Sequence, residues 1–103
     1  MGTTELLKEF SSNNDYTVTD IKNYRFLMLV LHLGGTDTDI NYDPIIVPVS
    51  LFRQSTTARW HSRALWNSTT PHIISMIYKT DTLVTLNLSG TTASVVGRLY
   101  GIK

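Results

Sequence analysis

The stretch YRFLMLVLHL, Tyr24 to Leu33, constrains this chain more than any other part of it. A β-strand turns successive side chains to opposite faces of its sheet. Here both sets are apolar: Phe26, Met28 and Val30 on one side, Leu27, Leu29, Leu31 and Leu33 on the other. Both faces of such a strand need cover. Either its own chain covers it on both sides, or one face packs against a neighbouring copy, because a bare apolar strip of that length would be an association site. The run is far too short to span a bilayer.

The rest of the sequence repeats the strand signal. Candidate strands are Thr4 to Phe10, Asp15 to Thr19, Tyr24 to Leu33, Ile45 to Phe52, Ala58 to Trp66, His72 to Lys79, Thr82 to Leu88 and Ser94 to Ile102. They are rich in Thr, Val, Ile, Tyr and Phe and are separated by clusters of Gly, Asn, Asp, Ser and Thr, as in antiparallel sandwiches and barrels. Alternation assigns Val84, Leu86 and Leu88 to an inward face, and likewise Ile45, Val47, Val49 and Leu51. Thr80-Asp81 reads as a tight hairpin. With a second turn around Gly90, the last three strands read as a meander. The expectation is one all-β domain over residues 1–103.

Charge and cysteine content exclude several function classes. The formal net charge is +1, and Lys22, Arg25, Arg53, Arg59, Arg63, Lys79, Arg98 and Lys103 are scattered along the sequence, so no footprint for nucleic acid is expected. There are no cysteines, so stability must come from packing or association, without disulfides or thiolate metal sites. Met1 is followed by Gly-Thr-Thr-Glu, not by a basic and then apolar leader, so no export signal and no membrane insertion are expected.

Candidate chemistry is sparse. Asp37, Asp39, Asn41 and Asp43 alternate like calcium-loop oxygens. However, Tyr42 and Pro48 stand where such a loop needs a glycine and a bidentate glutamate, and turn geometry explains the same letters. His32, His61 and His72 are too far apart for local metal spacing. No nucleophile elbow and no forced carboxylate pair is present, so neither catalysis, a cofactor nor a metal is expected. The segment TTARWHSRALWNSTTPH is the most aromatic polar region. Trp60, His61 and Arg63, with Tyr42, could stack on sugar rings or hydrogen-bond their hydroxyls. The rival reading is that Trp60 and Trp66, on one face with Ser62 and Ala64, fill the core.

Three pieces, Ile21 to Leu33, IIVPVSLF from Ile45 to Phe52, and the closing VVGRLYGIK from Val95 to Lys103, resemble the C-terminal head domains of bacteriophage tail fibres and related minor tail proteins. The opening TELLKEFSSNNDYTVTDI is similar to the first strand and loop of those domains. The resemblance implies a small antiparallel β-sandwich of jelly-roll type, the tip of a longer virion fibre protein. It also implies a homotrimer that contacts other tail proteins and attaches to a host surface saccharide without catalysis. The alternative is a structural virion domain for trimerisation, baseplate or capsid decoration, with no receptor contact. In the closing strand Gly97 and Gly101 share a face, where another backbone or an aromatic ring can approach closely.

Overall fold

The computed structural model describes residues 3–33, 44–66, 70–89 and 95–103. The strands are β1 (Thr4–Phe10), β2 (Asn14–Thr17), β3 (Phe26–Leu33), β4 (Ile45–Pro48), β5 (Trp60–Trp66), β6 (Thr70–Thr80), β7 (Leu83–Ser89) and β8 (Val95–Ile102). A 3-10 turn at Ile21–Asn23 and a one-turn helix α1 at Val49–Phe52 complete the described elements. The strands form two antiparallel four-stranded sheets, the first in the order β1-β8-β3-β4 and the second β2-β7-β6-β5.

The shared core follows from alternation. From the first sheet come Phe10, Leu27, Leu29, Leu31, Val47 and Leu99, and from the second Ile74, Met76, Val84, Leu86 and Leu88, all buried in one cluster. Each fully buried aliphatic side chain contributes about 1.5–3 kcal/mol relative to exposure. Val84, Leu86 and Leu88 point inward as their spacing requires.

Glycine shapes the terminal strand. β8 lies between β1 and β3, pairing Gly97 with Phe10 and Leu31, and Gly101 with Glu5 and Leu27. A Cβ at Gly97 would collide with the Phe10 ring and come within 2.7 Å of Ile74 Cδ1, and one at Gly101 would lie 2.6 Å from the Tyr24 ring. The aromatic approach inferred from the two glycines is therefore present, one ring at each.

Three expectations need correction. The strand expected over Ile45 to Phe52 ends at Pro48, which has φ −58° and caps α1. Proline cannot donate to a ladder and fits an edge strand such as β4. The side-chain period then changes: Val49 and Phe52 are buried, while Leu51, expected inward, is 43% exposed. The last three strands are not a meander. β6 and β7 form the expected hairpin across Asp81-Thr82, but β7's other edge is taken by β2, and β8 joins the opposite sheet. Finally, β3 is covered unequally: Leu27, Leu29, Leu31 and Val30 are buried, Met28 is half-buried and Phe26 is 38% exposed.

The outer faces of the two sheets differ in chemistry. On the first, Leu6, Tyr100, Met28 and Ile46 form one row across all four strands, and Thr4, Ile102, Phe26 and Pro48 form the next. Leu6 and Ile46 are each 53% exposed. On the second, His61, Ser75 and Asn87 form one row, and Ile77, Thr85 and Asp15 the next.

Candidate binding site

The residues singled out on β5 separate by face. Trp60 pairs with Met76 on the inner side and packs against the core, half-buried. Its indole Nε1 is buried without a hydrogen-bond partner among the described residues. Trp60 thus packs against the core with part of its surface still accessible. His61, the next residue, pairs with Ser75 on the outer side and is exposed. Arg63 sits opposite Ile73 in the ladder, two positions along from His61, and its side chain lies outside the described residues, as does that of Trp66. Tyr42 and the whole Asp37–Asp43 loop also lie outside them. Of the candidate quartet, His61 is the member whose side chain is both described and exposed, on the outer face of the second sheet.

That face is built for hydrogen bonding. Ser75 is buried on β6 between His61 and Asn87. Thr85 Oγ1 donates to Asp15 Oδ1, tying β7 to the edge strand β2. Asn13 Oδ1 accepts the backbone N–H of Leu88 at 2.6 Å, fixing the loop that precedes β2.

A second surface assembles at one end of the molecule, where the 3-10 turn and α1 meet the β6–β7 turn. An open groove of about 520 Å³ is lined by Lys22, Tyr24, Arg25, Phe26, Pro48, Val49, Ser50 and Arg53. Sequence reading missed it because its cations come from separate segments. Lys22 lies in the 3-10 turn, capped by Asp20, whose Oδ1 accepts Lys22 N–H at 3.0 Å. Arg25 is pinned by its backbone: its N–H donates to Ile102 O at 2.8 Å and its carbonyl accepts Val49 N–H at 2.9 Å. Arg53 follows α1. The trace in the sequence is Pro48, which ends β4 before α1, and Arg53 after that helix lines the same groove as Arg25.

Asp81 organises this end. Arg53 Nε and Nη2 donate to its Oδ1 and Oδ2 at 2.7 and 3.2 Å, and Tyr78 OH donates to Oδ1 at 2.8 Å. Lys22 Nζ lies 3.7 Å from Oδ2. The Arg53 guanidinium, with the Tyr78 hydroxyl and Lys22 ammonium, holds the Asp81 carboxyl below the usual carboxylate range. The same bond to Asp81, with burial, pushes the Tyr78 hydroxyl up. Ile21 N–H donates to Asp81 O at 2.9 Å and Val18 N–H to Thr82 O at 2.9 Å, so the turn is stitched to the segment carrying Lys22.

Tyr24 also lines the groove. Its ring covers Gly101, and its hydroxyl donates to Glu5 Oε1 at 2.9 Å. Burial, and then the Glu5 carboxylate, raise its pKa. No group of three or more metal-ligating side chains is present among the described residues.

Compared with known proteins, the chain matches no family model, no curated protein and no solved structure at a significant level.

Proposed function

We propose that this chain is a non-catalytic attachment module of the phage tail-fibre tip type. It associates as a homotrimer through the apolar outer face of its first sheet and presents the polar outer face of its second sheet to a bacterial surface saccharide. The observation that carries the reading is the contrast between those faces. Leu6 and Ile46 stand exposed on one, in the row that also holds Tyr100 and Met28, a pattern that suits contact with protein. His61, Asn87, Thr85 and Asp15 line the other, with donors and acceptors suited to sugar hydroxyls. Association multiplies a weak contact per copy into useful avidity. A jelly-roll winding is supported by the pairing of β1 with β8 and of β2 with β7, as in the arms of a rolled ribbon. β3–β4 and β5–β6 pair between sequence neighbours instead.

Two measurements test this reading. Light scattering is expected to give the mass of three 11.6 kDa chains, and a glycan array or whole-cell assay to give binding to a surface saccharide that His61→Ala weakens. A monomer that binds no saccharide and no cell sinks the proposal. The apolar face also favours a second reading, a virion domain that makes only protein contacts. In that case a trimer forms and incorporates into particles, and no host surface is bound.

A further inference from the structure

The groove between the 3-10 turn and α1 is separate from the sheet face assigned above to the receptor, and its chemistry is different. Three cations line it, Lys22, Arg25 and Arg53, and no carboxylate does among the described residues. The neighbouring acid, Asp81, lies behind Arg53. It engages Nε and Nη2, and the two N–H groups of Nη1 take no part in that pair. Arg53 is therefore held in one orientation by a bidentate partner that leaves part of its donor fork outside the pair. Arg25 is exposed, and its side chain makes no ion pair or hydrogen bond among the described residues, although its backbone is fixed on both sides. A fixed arginine, a second arginine on a pinned backbone and a nearby lysine converge on one open depression.

The other walls are not those of a simple ion site. Phe26 is an exposed aromatic ring paired with Pro48, and Ser50 lines the same groove. A sugar ring offers an apolar C–H face to an aromatic side chain and hydroxyls to a serine, while an acidic substituent offers oxygens to a guanidinium fork. The opening is also large enough for more than one anionic group.

We infer that this groove binds an acidic saccharide, with Arg53 and Arg25 holding its carboxylate or phosphate and Phe26 packing against the ring that carries it. Lys22 contributes field more than contact, because Asp20 and Asp81 lie 3.9 and 3.7 Å from its ammonium.

Titration calorimetry of the full chain tests this with four probes: an oligogalacturonate, a poly(glycerol phosphate), a neutral dextran oligomer and polyglutamate. The acidic saccharides are expected to bind, the carboxylated and phosphorylated probes reporting which acid is preferred. Arg25→Ala weakens that binding about tenfold, as loss of one charge-assisted contact does. Arg53→Lys, which keeps the charge and removes the fork, weakens it by a similar factor. Binding falls with added salt, and dextran gives no heat. Thermal melts of both variants control for folding, and Arg25, exposed and without a side-chain partner among the described residues, is the cleaner of the two. Binding unchanged in both variants, equal binding of dextran, or equal binding of polyglutamate overturns the inference. If neutral host saccharides bind through His61 and acidic ones do not bind, this inference falls and the receptor reading stands. If acidic oligomers bind in the groove while the chain attaches to no cell, the receptor reading falls and the groove stands.

Discussion

The two outer surfaces of the sandwich are made by the same rule and end with opposite chemistry. In both sheets every second residue turns outward. On the first sheet those residues include Leu6, Tyr100, Met28 and Ile46 beside the Glu9–Arg98 pair, and on the second His61, Ser75, Asn87, Thr85 and Asp15, with Ile77 among them. The inner faces hardly differ, since both supply aliphatic side chains to one cluster. Burial therefore explains the inner faces and says nothing of why the outer ones diverge. The two aliphatic side chains exposed at 53% each on the first sheet's outer face are what the proposed protein contact rests on.

The comparison breaks most visibly if the apolar face is made polar. Leu6→Lys with Ile46→Lys is expected to leave the melting temperature near wild type, because both side chains are already more than half exposed. On the proposed reading it gives a monomer in place of a trimer in light scattering, and attachment to cells drops about 10²–10⁴-fold as avidity is lost. An unchanged mass would detach the apolar face from any role in association.

The inner side of the same sheet responds in the opposite sense. Gly97→Ala drives a methyl into the Phe10 ring and against Ile74. Overpacking of this kind costs about 1–3 kcal/mol, measurable by denaturant unfolding. A neutral result would mean that β1 or β6 shifts freely to make room.

A smaller effect sharpens the contrast between the faces and the groove end. The Asp81 carboxyl is held below its ordinary pKa by Arg53. A depressed folded pKa gives stability that is complete above the unfolded carboxylate value of about 3.9 and is lost as pH falls through the lower folded value. Asp81→Asn is therefore expected to flatten the decline in melting temperature on acidification below about pH 4. An identical acid slope in wild type and variant would assign the decline to other carboxylates. Last, His61→Ala on the polar face should change stability by no more than about 0.5 kcal/mol, and a larger loss would make His61 a structural group.

Alternation and turn punctuation made most of the strands legible. β1 matches its expected bounds, and β2, β3, β5, β6, β7 and β8 lie within about two residues of theirs, because period two against a polar background is a local signal. The helix at Val49–Phe52 was hidden because VPVSLF is apolar at positions that suit either period, and only Pro48 marks the change. Which sheet β8 joins was not local information. It depends on the β7 edge being filled by β2, and on Gly97 and Gly101 fitting beneath Phe10 and Tyr24. For Trp60 the sequence left ligand contact and core packing both open, and its position opposite Met76 accords with packing. The groove was invisible for a simpler reason: charges that look scattered along a chain converge when a turn, a strand end and a helix end meet.

The place of β8 between β1 and β3 also has a kinetic meaning. Until that strand is made, β1 has no partner in its sheet and one edge of β3 is open, so the first sheet cannot close from sequence neighbours alone. Pairings that join the earliest strand to the latest close the longest loops, and such topologies mature in milliseconds to seconds, not microseconds. During that interval the ribbon from Phe26 to Leu33 offers unpaired backbone and leucines together, and it is the segment most exposed to mispairing on the ribosome or at high concentration.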